Sequence, residues 1–260
     1  MSYQIKLDLS KASLTLRLFE TVDLSENKKL SSLEGISASA ANLVSLNLQK
    51  CESLENIEPV GDLTHLEEIY LADCWSLKSI EALGKVKSLT KLTLERCRAL
   101  SSLKGIQDLS LQISRSYGGA VLSLSGCSSL ATLEHFPKNP ANFDTLDLSY
   151  MKSLKSLDYL PPLSTVKSLR GYGSGFEDIS SLHNLPNLES AGFSNCSDLK
   201  NVECLGEHAN LKTITLASTA VEKLPQQWQS SLEELDMSQS SLLTDLGQLP
   251  ASLKELTIKG

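Results

Sequence analysis

One pattern constrains this chain more than any other. It reads Leu66-x-x-Ile69-x-Leu71-x-x-Cys74-x-x-Leu77-x-x-Ile80-x-x-Leu83, and the next stretch repeats it as Leu89-x-x-Leu92-x-Leu94-x-x-Cys97-x-x-Leu100-x-x-Leu103-x-x-Ile106. Aligned on the first apolar residue of the apolar-x-apolar core, the units are anchored at Val22, Leu46, Ile69, Leu92, Leu122, Leu146, Leu169, Ala191, Ile214, Leu235 and Leu256. Successive spacings are 24, 23, 23, 30, 24, 23, 22, 23, 21 and 21 residues, so the repeat covers nearly all of the 260 residues. Repetition at a period of 20–30 residues means stacked units rather than a single closed core.

The spacing dictates the local structure. Two apolar residues two apart face the same side of a short strand, and their neighbours face the other. A single unit cannot bury its own apolar row; stacking turns the rows into one aliphatic core and the strands into a parallel ladder. Eleven strands at about 4.8 Å predict a sheet of roughly 50 Å. The later apolar residues recur every third position, which suits 3₁₀ or irregular turns better than an α-helix. The 51 leucines and the low aromatic content, 5%, fit narrow stacked slots.

This template is identified as that of the leucine-rich repeat. The resemblance implies an α/β-type solenoid, a curved right-handed superhelix. A parallel sheet of about eleven short strands lines its concave face, and irregular or 3₁₀ turns with little helix form the convex one. The expectation is one domain over residues 1–260. Residues 5–18 alternate as two short strands around Ser10–Ser13, so residues 1–18 read as an N-terminal β cap. The 30-residue spacing holds an insertion loop at 110–119 that includes Arg115 and Tyr117. The last anchor, Leu256, is followed by no polar capping unit, so the C-terminus reads as uncapped, with its edge strand open to a neighbour.

Cys51, Cys74, Cys97, Cys127 and Cys196 all fall at one template position, which holds Asn27, Met151, Ser174, Thr219 and Ser240 in the other units. This is the turn after the strand, where a small inward side chain can donate a hydrogen bond to a loop carbonyl. The cysteines lack the close C-x₂₋₄-C pairing of a metal site. Parallel side chains and the missing secretory signal favour free thiols over disulfides. Cys204 lies outside the slot, as a further residue of the outer side.

Catalytic signatures are weak. His65, His135, His183 and His208 fall between units and form neither a metal pair nor a nucleophile motif. Gly171-Tyr172-Gly173-Ser174-Gly175 has the glycines of a phosphate loop but neither its Lys-Ser/Thr ending nor its helix, so it reads as a tight turn. Asn195-Cys196-Ser197 matches a glycosylation acceptor, but its cysteine is a slot residue. No cofactor or metal is expected. The net charge of −7 disfavours nucleic acid. No apolar run approaches 18 residues and no signal segment opens the chain, so the expectation is a cytoplasmic, reducing setting away from membranes.

The residues flanking the anchors are mostly small and polar. The exceptions form two patches: Tyr70 with Glu68, Lys91, Glu95 and Arg96, and Tyr150 with Asp147, Arg170 and Tyr172. Exposed tyrosine and arginine are the types that dominate protein interfaces. With Arg115 and Tyr117 of the insertion, these patches are the expected contact surface for a protein partner.

Variants of the template sharpen the comparison. Val121–Leu130, reading VLSLSGCSSL, resembles the repeats of plant TIR–nucleotide-binding–leucine-rich-repeat immune receptors, as does Leu216–Pro225, LASTAVEKLP. Leu246–Leu256, LGQLPASLKEL, resembles units of bacterial leucine-rich-repeat effectors, and Ile80–Leu89 resembles shorter repeats of intracellular scaffolds. The resemblance concerns the repeat region alone. It implies a non-catalytic protein-interaction module. The alternatives are a ligand-sensing fragment of an immune receptor or effector, the substrate-recognition part of a ubiquitin ligase, or a structural subunit of a large assembly.

Overall fold

In a computed structural model, the structure describes residues 20–40, 42–111, 115–116, 119–138, 143–229 and 232–259. The expected cap at 1–18 and Tyr117 lie outside them. Among the described residues twelve short strands run in chain order: β1 Thr21–Asp23, β2 Ser45–Asn47, β3 Glu68–Tyr70, β4 Lys91–Thr93, β5 Arg115–Ser116, β6 Gly119–Ser123, β7 Thr145–Asp147, β8 Ser168–Arg170, β9 Ser190–Gly192, β10 Thr213–Thr215, β11 Glu234–Asp236 and β12 Glu255–Thr257. Eleven of them contain the eleven anchors. The anchors face one another in register, Val22 against Leu46 and Leu46 against Ile69. In the same way Ile214 pairs with Leu235, and Leu235 with Leu256. The chain is a leucine-rich-repeat solenoid of parallel strands with little helix.

The strands form two sheets rather than one, in the orders β1-β2-β3-β4 and β12-β11-β10-β9-β8-β7-β6-β5. Arg115 and Ser116 of the insertion pair antiparallel with Ala120 and Gly119, just before the residues of β6, Val121–Ser123, that pair with β7. A stretch read from sequence as a loop thus carries a short hairpin. The chain correspondingly divides into two compact units, the first built on β1–β4 and taking in Gly126–Leu130, the second built on β5–β12.

Within each unit the core is aliphatic. Leu46, Leu48, Cys51, Leu54, Ile69, Leu71, Cys74 and Leu77 are all fully buried. Return paths contain 3₁₀ turns at Glu58–Asp62, Glu81–Lys85, Ser180–Asn184 and Glu203–Glu207. The only α-helix among the described residues, α1, is Ile36–Ser39. Where the template loses bulk, rings restore it. Gly171 and Ala191 replace leucines of the strand core, and Phe176 and Phe193 pack edge to face there, ring centroids 5.8 Å apart. Among the described residues, no helix is long and apolar enough to cross a membrane.

Candidate partner-binding surface

The turn after each strand fixes the surface. In all ten units that carry it, the residue before the slot has left-handed backbone. In the first unit these are Glu26, Lys50, Asp73, Arg96 and Gly126, with φ 62°, 60°, 63°, 58° and 77°. In the second they are Tyr150, Gly173, Asn195, Ser218 and Gln239, with φ 61°, 63°, 64°, 57° and 58°. That conformation costs a non-glycine residue about 1 kcal/mol or more. Hydrogen bonding to the next repeat offsets the cost: the amides of Glu26, Lys50, Asp73 and Tyr150 donate to the carbonyls of Gln49, Ala72, Glu95 and Tyr172 at 2.7–2.8 Å.

The slot side chain completes the turn. The thiols of Cys51, Cys74, Cys97 and Cys127 donate to the carbonyls of Leu24, Leu48, Leu71 and Leu94 at 3.1–3.2 Å. Cys196 donates to Gly171 at 3.0 Å, and Ser174 and Ser240 donate through hydroxyls to Leu148 and Leu216 at 2.7 and 2.9 Å. Met151 has no donor. At the start of the row, the backbone carbonyl of Asn27 accepts from Leu30 N at 3.0 Å. Burial pushes the slot thiols up, Cys51 and Cys196 to about 11, Cys74 and Cys127 to about 12. Cys97, the most enclosed, moves the same way. All six cysteines are free, and Cys204 is half-buried with its thiol pushed up to about 12 by burial.

In the first unit the predicted residues separate into two clusters. On the strand face, Tyr70 Oη donates to Glu68 Oε2 at 2.8 Å, Lys91 Nζ lies 3.8 Å from Glu68 Oε1, and the same ammonium stands 5.0 Å from the Tyr70 ring centroid. On the turn, Arg96 joins Asp73 through two bonds, Nε–Oδ1 2.6 Å and Nη2–Oδ2 2.7 Å. The Trp75 indole N–H reaches Asp73 Oδ1 at 3.4 Å, and the Arg98 guanidinium stacks 4.6 Å above the Trp75 ring. Arg96, first among the causes, lowers the Asp73 carboxyl below its usual range. Glu95 is half-buried, and its carbonyl accepts the Asp73 amide.

Sequence reading grouped Arg96 with Tyr70 and Lys91; the structure pairs it instead with Asp73, on the neighbouring turn. It also adds Trp75 and Arg98, which the strand alternation missed because they follow the slot. Aligning units on the slot rather than the strand would have found them, since both are the first residue after it.

The second unit carries the other patch. Tyr150 is 60% exposed, and its Cδ1 lies 3.2 Å from where a Cβ on Gly173 would sit. Tyr172 is half-buried, its ring occupying the space a side chain at Gly192 would take. Arg170 is exposed beside them on β8. Asp147 is tied to its own turn, accepting the Ser149 amide at 2.9 Å. Arg115 lies in β5. Tyr159, 68% exposed, is a further surface ring that the strand pattern did not single out. Among the described residues no group of three or more His, Cys, Asp or Glu is placed to hold a metal ion.

Comparison with known proteins gives this architecture a family. The description "BspA type Leucine rich repeat region" matches residues 18–117 and 122–241, in six copies. The chain belongs to the BspA-type leucine-rich-repeat family. A 108-residue stretch is 31% identical to the disease resistance protein RRS1 of Arabidopsis thaliana, covering 41% of this chain and 8% of that protein. This leucine-rich-repeat chain therefore spans a small fraction of the plant relatives it matches. Among solved structures, an internalin from Listeria monocytogenes superposes with a TM-score of 0.54 at 16% identity, over 94% of this chain and 83% of that one. The leucine-rich-repeat domain of the type III effector XopL aligns at 22% identity and TM-score 0.49, over 84% and 69%. The resemblance to plant immune repeats is thus met in sequence over a 108-residue stretch, and the internalin match shows the leucine-rich-repeat fold.

Proposed function

We propose that this leucine-rich-repeat protein is a non-catalytic binding module that takes a protein partner on the strand face and adjoining turns of its first unit. The observation that carries this reading is the Asp73–Trp75–Arg96–Arg98 cluster. Tryptophan and arginine dominate interface hot spots, and here a tryptophan and two arginines are held at the surface by a bidentate ion pair and a ring stack. Such preorganisation lowers the entropic cost of binding. Tyr70 and Lys91 extend the surface along the strands, and Tyr150, Arg170 and Tyr172 offer a second contact area on the other unit.

A reducing, intracellular setting accords with the cysteine row, because each slot thiol uses its S–H as a hydrogen-bond donor and a disulfide would remove it. The likeness to a plant disease resistance protein favours a second reading, the sensing portion of an immune receptor or effector.

The test is affinity capture from the native source with the unaltered protein and with a Trp75→Ala/Arg98→Ala variant, read by quantitative mass spectrometry alongside thermal melting. Partners retained by the unaltered chain and lost by an equally stable variant are the expected result. Equal recovery by both would place binding elsewhere.

A further inference from the structure

In the first unit two rows of side chains run along the turns, one residue before the slot and one after it. Before the slot, Glu26, Lys50, Asp73 and Arg96 alternate in sign, and Gly126 follows them. After the slot, Lys28 and Glu52 are followed by Trp75, Arg98 and Ser128. Ion pairs tie most of these charges in place: Lys50 Nζ to Glu26 Oε1 at 2.6 Å, Lys28 Nζ to Glu52 Oε1 at 2.8 Å, and Arg96 Nε to Asp73 Oδ1 at 2.6 Å. Arg98 is the one charged member of the two rows that, among the described residues, has no ion-pair partner.

Arg98 is nevertheless held. Its guanidinium stacks 4.6 Å above the Trp75 ring, and the Trp75 indole N–H reaches the same Asp73 oxygen that Arg96 Nε uses. A ring against one face of a guanidinium leaves the in-plane fork of N–H groups able to donate. Arg96 uses its fork on Asp73, whereas the fork of Arg98 is unused. The next turn supplies no acid. Gly126 and Ser128 stand where the alternation of sign would place one, and the Ser128 hydroxyl lies 3.5 Å from the Arg98 carbonyl oxygen. The Arg96 side chain passes over Gly126, its Cγ 2.8 Å from where a Cβ would sit. Within the cluster two guanidiniums thus share one carboxylate. The excess positive charge lies beside Trp75, which is itself 37% exposed.

Building on the partner-binding role of this cluster, we propose that Arg98 receives the carboxylate of an aspartate or glutamate in an acidic segment of the partner protein, with an adjoining apolar side chain covering the exposed part of Trp75. A planar carboxylate matches the fork bidentately and continues the alternation of sign that Gly126 and Ser128 interrupt. The ring stack fixes the guanidinium beforehand, so little side-chain entropy is lost when the bond forms. The chain's net charge of −7 repels acidic segments at long range, so recognition rests on this fork and ring at short range. A basic segment at the same place would meet Arg96 and Arg98 with like charge.

Random peptides displayed on phage and selected on the immobilised protein are a suitable probe. The selected sequences should share an acidic residue next to an apolar one. A synthetic peptide of that sequence should bind about tenfold more weakly to Arg98→Gln and to Trp75→Ala, and more weakly still to Arg98→Glu. Replacing its acidic residue with lysine should restore affinity for the Arg98→Glu protein. Circular dichroism and thermal melting establish that the variants fold. Selected peptides that lose affinity for Trp75→Ala but carry no acid, and bind Arg98→Gln unchanged, would overturn the acidic specificity while leaving the cluster as the binding surface. Peptides indifferent to both substitutions, or no enrichment at all, would overturn both.

Discussion

Arg96 and Asp73 face each other from consecutive turns, 23 residues apart in sequence, through two parallel hydrogen bonds of 2.6 and 2.7 Å. Planar guanidinium and planar carboxylate match only in this geometry. A lysine at position 96 would keep the charge but not the fork. Arg96→Lys should raise the Asp73 pKa back toward its ordinary 3.8, followed by side-chain carboxyl NMR. The sign follows from linkage: the depressed carboxyl contributes stability above 3.8 that is lost as pH falls through its folded value. Because Arg96 is half exposed, the change in unfolding free energy should stay within about 1 kcal/mol. A carboxyl pKa that does not move would show the pair to be electrostatically idle.

The slot thiols make a different prediction. Cys74 Sγ donates to the Leu48 carbonyl from a fully buried position. Cys74→Ser keeps a donor of similar size, while Cys74→Ala removes it and leaves a small void. Urea unfolding should show the alanine variant losing about 1–2 kcal/mol and the serine variant less. The reverse order would assign the slot to apolar packing rather than hydrogen bonding.

Gly175 is fixed by a neighbour. A Cβ there would lie 2.2 Å from the Lys152 carbonyl oxygen, a backbone atom that cannot swing aside. Gly175→Ala should lower stability by about 1–3 kcal/mol in equilibrium unfolding, as overpacking does. A neutral substitution would mean that the turn relaxes freely.

His208 provides the pH dependence. It is 6% exposed, and burial, the largest cause, lowers its pKa below the ordinary 6.5, with His183 adding to the effect and Glu207 opposing it. Below 6.5 the unfolded chain therefore binds a proton that the folded chain resists. Stability should fall as pH drops from about 7 through that window and level off below the folded pKa. His208→Gln should flatten the dependence of the urea midpoint between pH 7 and 5; an unchanged slope would assign it to other groups.

Much of the fold was legible because it rests on periodicity. Apolar residues two apart choose the strand face, and their recurrence every 21–24 residues, with one spacing of 30, places each strand, so all eleven anchors lie in parallel strands. Surface pairing was less legible. Arg96 and Asp73 are close because stacked turns superpose, and no window along the chain brings residues 23 apart into view.

By itself the sequence determined the stacked, parallel, aliphatic solenoid, because one unit cannot bury its leucines without the next. Tertiary structure decided the rest. It paired β5 with the start of β6, and it set how Phe176 and Phe193 restore the bulk lost at Gly171 and Ala191. It also selected which charges meet, Arg96 with Asp73 and Lys254 with Glu233. Those outcomes depend on the register and volume of neighbouring units, which a repeat consensus does not encode.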